Sequence, residues 1–196
     1  MDSLRTPHSL LEQARDCSDA AAWRRLADLY VPLIHRWLRP YLLQTADTDD
    51  LVQEVLATLA RELPRFDPRP GPGVFRSWLR TITVHRLRAY WQARNHRPAA
   101  IGGDDIPAAF EQLEDPNSPL SRAWDEEHDR HVVRTLLAAI RAEFRATTWR
   151  AFEATALDGR PVAEVAATLG LSQNAVLLAK SRVLNRLREK GRGLVE

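Results

Sequence analysis

Residues 161–190 read PVAEVAATLGLSQNAVLLAKSRVLNRLREK, two short helical patterns that meet at a single glycine. Gly170 can adopt the positive φ with which many helices end, Leu171 is expected to be a buried plug, and Ser172 can cap the second helix. Apolar residues recur at helical spacing on both sides of this turn, at Val162, Val165, Ala166, Leu169, Val176, Ala179, Val183 and Leu187. The segment therefore predicts two helices joined by a tight turn, the helix-turn-helix arrangement.

The second helix of this pair also has a polar and cationic face. The side chains that lie mostly off its apolar stripe are Gln173, Asn174, Lys180, Ser181, Arg182, Asn185, Arg186 and Arg188. Such a face on the second helix fits the major groove of DNA. A soluble helix hairpin with solvated arginines has the same pattern, so the rest of the chain has to decide between the two.

Charge is distributed unevenly along the chain. The 196 residues suffice for one large domain or two small ones, and two small ones fit the pattern better. Charged residues make up 28% and hydrophobic residues 44%, a mixture typical of a folded protein. The net charge is only +2, but acids dominate 47–54 and 104–115, whereas bases dominate 76–97 and 180–192. This segregation, rather than the net charge, bears on the binding partners.

Signals for catalysis or metal binding are absent from the sequence. The six histidines are scattered, and no HExxH or CxxC spacing occurs. Asp49 and Asp50 lie at a helix start without a basic catalytic partner, and the single cysteine, Cys17, allows no internal disulfide. No apolar run approaches about 20 residues and no signal peptide opens the chain. We therefore expect a cytoplasmic protein that is not an enzyme and uses no metal or cofactor.

Residues 47–66, DTDDLVQEVLATLARELPRF, form an acidic amphipathic pattern. Asp47 or Thr48 can cap a helix, and Asp49 and Asp50 lie in its first turn, where the helix dipole favours negative charge. An apolar stripe leaves the acids together on the outside. The pattern is that of an ordinary surface helix, but the compact acidic group also suits a basic protein partner.

Residues 74–97, VFRSWLRTITVHRLRAYWQARNHR, combine arginines with aromatic rings. Cations that bind phosphates and flat rings that stack on unpaired bases are what single-stranded DNA requires. Phe75 and Trp78 lie at core spacing and are more readily explained as core residues. For Tyr90 and Trp91 the choice between a core role and stacking on unpaired bases stays open.

Helical periodicity is lost between residues 95 and 117, which are acidic and rich in proline and glycine. We expect an irregular linker here. Ser118 can then cap a long helix that has Pro119 in its first turn, and Thr147 or Thr148 can start another, with Leu157 facing inward. Together with the helix-turn-helix these predict a second domain of four helices.

The order of these motifs resembles that of bacterial sigma factors of the extracytoplasmic-function (ECF) group in the sigma-70 family. The motifs are the acidic helix DxxDLVQEV, the helix FRSWLRTITVHRLRAYW, the irregular linker and the terminal EVAATLGLSQNAVLLAKSRVLNRLRE. The resemblance implies an all-α fold of two small helical domains. Region 2 would span residues 1–95, the linker 96–117 and region 4 residues 118–196, with the helix-turn-helix at 161–190. It also implies a non-enzymatic protein that recruits RNA polymerase core to promoter DNA.

Residue roles follow from the resemblance. A docking surface for the coiled coil of the polymerase beta-prime subunit would comprise Asp47, Asp49, Asp50, Gln53 and Glu54. Contacts with the −10 element, including a base captured near the loop 67–73, would come from Arg76, Trp78, Arg80, His85, Arg86, Arg88, Tyr90 and Trp91. Contacts with the −35 duplex would come from Ser172, Gln173, Asn174, Leu177, Leu178, Ser181, Arg182 and Arg186.

Further partners are implied by the same resemblance, namely the polymerase beta flap and, as regulators that it allows, an anti-sigma factor or a kinase; no membrane contact is expected. The chain departs from the family at Leu177 and Leu178, where many members have a basic residue. These leucines could contact thymine methyl groups or pack against a neighbouring helix, and the sequence leaves both open. The alternative function is a helix-turn-helix regulator that binds duplex DNA by itself and never engages polymerase.

Overall fold

Every secondary-structure element in the described part of the chain is helical. The computed structural model describes residues 9–15, 19–41, 44–67, 73–93 and 105–195, without the side chains of 105–107. Its α-helices are α1 (Leu10–Arg15), α2 (Ala20–Leu38), α3 (Thr45–Glu62), α4 (Val74–Ala93), α5 (Asp105–Glu114), α6 (Pro119–Ile140), α7 (Ala146–Phe152), α8 (Val162–Leu169) and α9 (Gln173–Gly191). The predicted all-α fold class is confirmed.

The chain divides into two compact units, and the division falls inside α6, between Val132 and Val133. The first unit contains the described residues up to 132 together with 192–195, and the second unit contains 133–191. The predicted boundaries are different, because they place all of α6 in the C-terminal domain. The first half of α6 instead belongs to the N-terminal unit.

The expected irregular linker contains a helix, α5, which packs against α4. Phe110 and Leu113, three residues apart and therefore on one face of α5, are both buried. Arg88 of α4 lies over the Phe110 ring, with its guanidinium carbon 5.7 Å from the ring centroid, and also forms an ion pair with Glu114. The prediction of irregular structure is therefore wrong for 105–114, because two apolar residues suffice to dock a short helix. Residues 96–104 lie outside the described part.

The core of the first unit lies among α2, α3 and α4, where Tyr30, Trp37 and Phe75 are fully buried. Helix α3 begins at Thr45, with Gln44 at the N-cap, so the predicted cap at Asp47 or Thr48 is wrong by three or four residues. Asp47 consequently lies in the first helical turn and is only 6% exposed.

The first half of α6 is fastened to this core by aromatic and polar contacts. Ser118 caps the helix as predicted, its Oγ accepting a hydrogen bond from Ser121 N at 3.0 Å. Trp124 stacks on Trp37 of α2, with ring centroids 4.6 Å apart and planes 9° from parallel. His131 Nε2 lies 2.7 Å from the carbonyl oxygen of Leu29. These contacts explain why the first unit extends to Val132.

The second unit packs α7, α8 and α9 around small apolar side chains, among them Ala151, Val165 and Val176. Helix α7 continues into a π-helical turn at Glu153–Leu157. Leu157, which we expected to face inward, is 54% exposed. The wider π turn rotates the residues that follow it relative to the regular helical period, which accounts for this error.

Candidate nucleic-acid and polymerase interfaces

Helices α8 and α9 have the geometry of a helix-turn-helix. Their axes are bent by 103° across the turn Gly170–Ser172, within the range of about 90–120° seen in that motif. Gly170 has φ 64° and ψ 34°, the left-handed conformation predicted from the sequence. Ser172 Oγ accepts a hydrogen bond from Ala175 N at 3.1 Å and caps α9, also as predicted. Leu171, which we expected to be buried, is only half-buried.

One face of α9 is exposed along its first three turns. The exposed side chains are Gln173, Asn174, Leu177, Leu178, Ser181 and Arg182, and Ser172 precedes them. Val176, Ala179 and Val183 are buried on the opposite side, as the apolar stripe predicts. Because these exposed positions repeat at intervals of four, they form two adjacent rows on one surface. Seven of the eight predicted −35 residues therefore share a single face.

Arg186 is the exception. Its Nε lies 2.5 Å from Glu143 Oε2, and its Nη1 lies 2.8 Å from Glu189 Oε2. The hydrogen bond with Glu143, followed by that with Glu189, raises the pKa of Arg186, and the hydrogen bond from Arg186 lowers the pKa of Glu143. Arg186 thus ties α9 to the turn that follows α6, and it is already occupied by two carboxylates.

The acidic residues of α3 divide into exposed and buried members. Asp49, Asp50, Gln53 and Glu54 are exposed, and Asp49 Oδ1 lies 2.9 Å from His35 Nε2. Asp47 is buried, so its predicted role as a presented docking residue does not fit this structure. The other four can be reached by a partner.

Three of the arginines predicted to bind the −10 element form ion pairs within the first unit. Arg88 pairs with Glu114 of α5, and the other two pair with acids of α6. Arg80 is 4% exposed, and its Nη1 lies 2.5 Å from Asp125 Oδ1 of α6. Arg76 Nη1 lies 2.5 Å from Asp129 Oδ2, and its Nε lies 3.4 Å from Asp125 Oδ2. Their charges are therefore compensated by α6 in this conformation.

The remaining −10 candidates differ in exposure. Trp78 is half-buried and stacks on Phe66, with centroids 4.6 Å apart. Trp91 is 8% exposed, so its expected contact with the −10 element does not fit this structure. Tyr90 is half-buried and lies edge-on to Trp91, with centroids 5.5 Å apart. His85 is exposed, and Arg86 is half-buried and has no carboxylate partner among the described residues. Among these candidates His85 is thus exposed, and Arg86 and Tyr90, four residues apart on α4, are half-buried.

Asp125 and Asp129 are residues that sequence reasoning missed. They are spaced four apart on α6, and Arg76 and Arg80 are spaced four apart on α4. Equal spacing of opposite charges on two helices is a signal that could have suggested the pairing. Many other acidic and basic pairs in the chain share this spacing, so the signal alone does not select it.

A buried hydrogen-bond chain continues from these ion pairs into the core. His128 Nδ1 lies 3.0 Å from Asp129 Oδ1, and His128 Nε2 lies 3.1 Å from the Tyr30 hydroxyl. Burial lowers the pKa of His128 and, together with the Asp129 charge, raises that of Tyr30. Burial opposes ionisation of Asp129, but hydrogen bonds from His128 and Arg76 outweigh it and lower its pKa. An ionised Asp129 only accepts, so neutral His128 carries its proton on Nδ1 and accepts from Tyr30.

Other kinds of site are not indicated by the residues that the structure describes. No group of three or more histidine, cysteine or acidic side chains there could hold a metal ion. No single described helix is long and apolar enough to cross a membrane, although the bent pair α8 and α9 passes that test together on length and composition alone. The second unit has an open cleft of about 520 Å³ lined by Phe144, Trp149, Arg141, Arg150 and neighbouring residues.

The buried neutral His128 should make stability depend on pH. As the pH falls below about 6.5, the unfolded chain binds a proton at this histidine and the folded chain does not, so the free energy of unfolding decreases until the pH also falls below the folded pKa. The free energy of unfolding is measured by denaturation at about pH 7.5 and about pH 5.5. Its decrease between the two pH values should be smaller for His128→Gln than for the unmodified protein. The control His85→Gln, at an exposed position, should keep the original dependence. Equal losses in all three proteins would contradict the assignment.

Comparison with known proteins bears on this arrangement. Residues 26–97, which include most of α2 and all of α3 and α4, match the family model described as Sigma-70 region 2. No curated protein matches the chain in sequence. A solved structure titled "Structure of CnrH in complex with the cytosolic domain of CnrY" is 20% identical, with 91% of this chain and 92% of that chain covered and a TM-score of 0.37, a similarity too low to support an argument. Residues 26–97 of this chain are therefore similar to region 2 of sigma-70 proteins.

Proposed function

We propose that the protein is a sigma factor of the ECF group, which binds RNA polymerase core and directs it to specific promoters. The observation that carries this proposal is the region 2 match over residues 26–97 in a chain that also has a helix-turn-helix near its C-terminus. A regulator that binds duplex DNA alone has no need of region 2. The helix-turn-helix supplies the means of binding duplex DNA that region 2 lacks.

Polymerase docking is assigned to the exposed part of α3. Asp50 and Glu54 lie four residues apart, and Gln53 lies beside them, so the three share one exposed surface. Complementary charge on the beta-prime coiled coil would steer the encounter and fix its orientation. Asp49 contributes less than expected from sequence because it faces His35, and Asp47 acts inside the unit.

Binding of the melted −10 strand is assigned to the outer side of α4. His85 and Arg86 can approach phosphates, and the Tyr90 ring can stack on an unpaired base. Trp91 is buried and contacts the Tyr90 ring edge-on, so we assign it to positioning that ring and not to stacking on DNA. Arg76 and Arg80 would reach phosphates only by exchanging the carboxylates of Asp125 and Asp129 for them, so we assign them to holding α4 in place.

Recognition of the −35 duplex is assigned to the exposed face of α9. Its amides and hydroxyls suit base edges, and Arg182 suits a guanine or a phosphate. Arg186 positions α9 through Glu143 and Glu189. The cleft beside Phe144 and Trp149 is an exposed concave surface available to the beta flap. A cytoplasmic location, and regulation by an anti-sigma factor or a kinase, are proposed from the family alone.

Dependence on polymerase tests this function most directly. Promoter fragments are first identified by run-off transcription with core polymerase on genomic DNA. In mobility-shift assays the protein should then bind these fragments tightly and specifically only when core is present. Tight specific binding without core would favour the stand-alone regulator instead.

Charge reversal tests the docking surface in the same assay. The double variant Asp50→Lys/Glu54→Lys should bind core at least about tenfold more weakly, since like charges placed across an interface cost several kcal/mol. Glu126→Lys changes an exposed acid of α6 and should leave core affinity unchanged. Equal affinities for all three proteins would remove α3 from the interface.

Tyr90 and Trp91 should have separable effects. Tyr90→Ala should reduce promoter opening by about 5-fold to 150-fold, because stacking is worth about 1–3 kcal/mol per base, while the closed complex persists. Permanganate reactivity of unpaired thymines measures the opening. Trp91→Ala should lower the melting temperature, since that ring is buried. A Tyr90→Ala variant that opens promoters normally would contradict the assignment.

A further inference from the structure

Two leucines interrupt the polar face of α9. Leu177 is 51% exposed and Leu178 is 48% exposed. Of the large apolar side chains in the described residues, only Leu157 is comparably exposed. The two alternatives left open by the sequence were packing against a neighbouring helix and contact with thymine methyl groups. Since about half of each side chain is in water, the described residues leave both leucines accessible to a partner.

The residues around the leucines indicate what covers them. Gln173 and Asn174 lie one turn before them, and Ser181 and Arg182 lie one turn after them, so each leucine sits in the middle of an exposed row. These rows contain no carboxylate, and one of them ends in the cation Arg182, which suits a polyanion. A protein-binding face of this kind would need no amides at its leading end.

The chemistry of base edges fits this arrangement. In the major groove the thymine C5-methyl is the apolar group that a base pair presents, and Asn or Gln can bind adenine through two hydrogen bonds. The leucines would therefore select thymine and the preceding amides would select adenine, and the two bases form one T·A pair. The N-terminal part of a recognition helix is also the part that reaches base edges.

We propose that Leu177 and Leu178 read thymine methyl groups, so that the −35 element contains T·A pairs opposite the second turn of α9. The inference rests on the proposed function, because it requires α9 to lie in the −35 major groove. To that proposed recognition of the −35 duplex, the inference adds which contacts determine specificity and which class of base pair they select.

Removal of a single methyl group tests the proposal. Holoenzyme made from the full chain and core polymerase first selects −35 sequences from a randomised duplex, which should be enriched in T·A pairs. Each selected thymine is then replaced by deoxyuridine, which lacks only the C5-methyl. Binding should fall about threefold to fivefold at the contacted positions, the effect of one buried methyl-sized group.

Variants identify which side chain is responsible. Leu177→Ala and Leu178→Ala should each bind the thymine duplex more weakly and lose the difference between thymine and deoxyuridine at one position. Leu157→Ala removes an equally exposed leucine outside α9 and should keep that difference. All three substitutions are at exposed positions, and unchanged melting curves would verify folding.

Several outcomes would overturn the inference. Deoxyuridine that binds as well as thymine, or selected elements without T·A pairs, would exclude methyl readout. Equal losses by the leucine variants on both duplexes would indicate a protein partner for these side chains. In each case specific transcription would still support the sigma function, whereas failure to form a promoter-binding holoenzyme would remove both proposals.

Discussion

The pairing of Arg76 and Arg80 with Asp125 and Asp129 is the constraint on which the N-terminal unit depends. Arg80 is almost fully buried, and removing the carboxylate partner of a charge that stays buried costs about 3–5 kcal/mol, so a buried Arg80 requires Asp125 beside it. The stack of Trp124 on Trp37 adds apolar burial to the same junction. Together these contacts extend the unit to Val132, beyond the residues matched to region 2.

This internal pairing also decides which charges are left to bind partners. In the first unit α6 neutralises Arg76 and Arg80, and Glu114 of α5 neutralises Arg88. Arg86 is the predicted −10 arginine of α4 that has no described carboxylate partner. In the second unit Glu143 and Glu189 neutralise Arg186, while no described carboxylate pairs with Arg182. The exposed surface of α3 described above therefore carries only negative charge, and the exposed face of α9 described above carries only positive charge. Such surfaces suit partners of opposite charge, as the proposed function requires of α3 and α9.

Local patterns in the sequence predicted the helix-turn-helix well. A glycine that needs positive φ, a serine cap and an apolar stripe are each determined by residues within a few positions, and all three are found at Gly170, Ser172 and along α9. The errors concern contacts between distant residues. The sequence pattern of an amphipathic helix is the same whether its arginine binds DNA or pairs with Asp125. The burial of Trp91 and Asp47 likewise depends on tertiary packing. Helix α5 was missed because acidic residues and a proline masked its two buried apolar positions.

Amide hydrogen exchange tests the central claim that the first half of α6 belongs to the N-terminal unit. Backbone amides of 122–132 should be protected to the same degree as those of α2 and α4. Asp125→Asn should increase their exchange together with that of α4, because it leaves Arg80 buried without its carboxylate. Protection of α8 and α9 should not change. Exchange of 122–132 that instead follows α8 and α9, or that is insensitive to Asp125→Asn, would contradict the account.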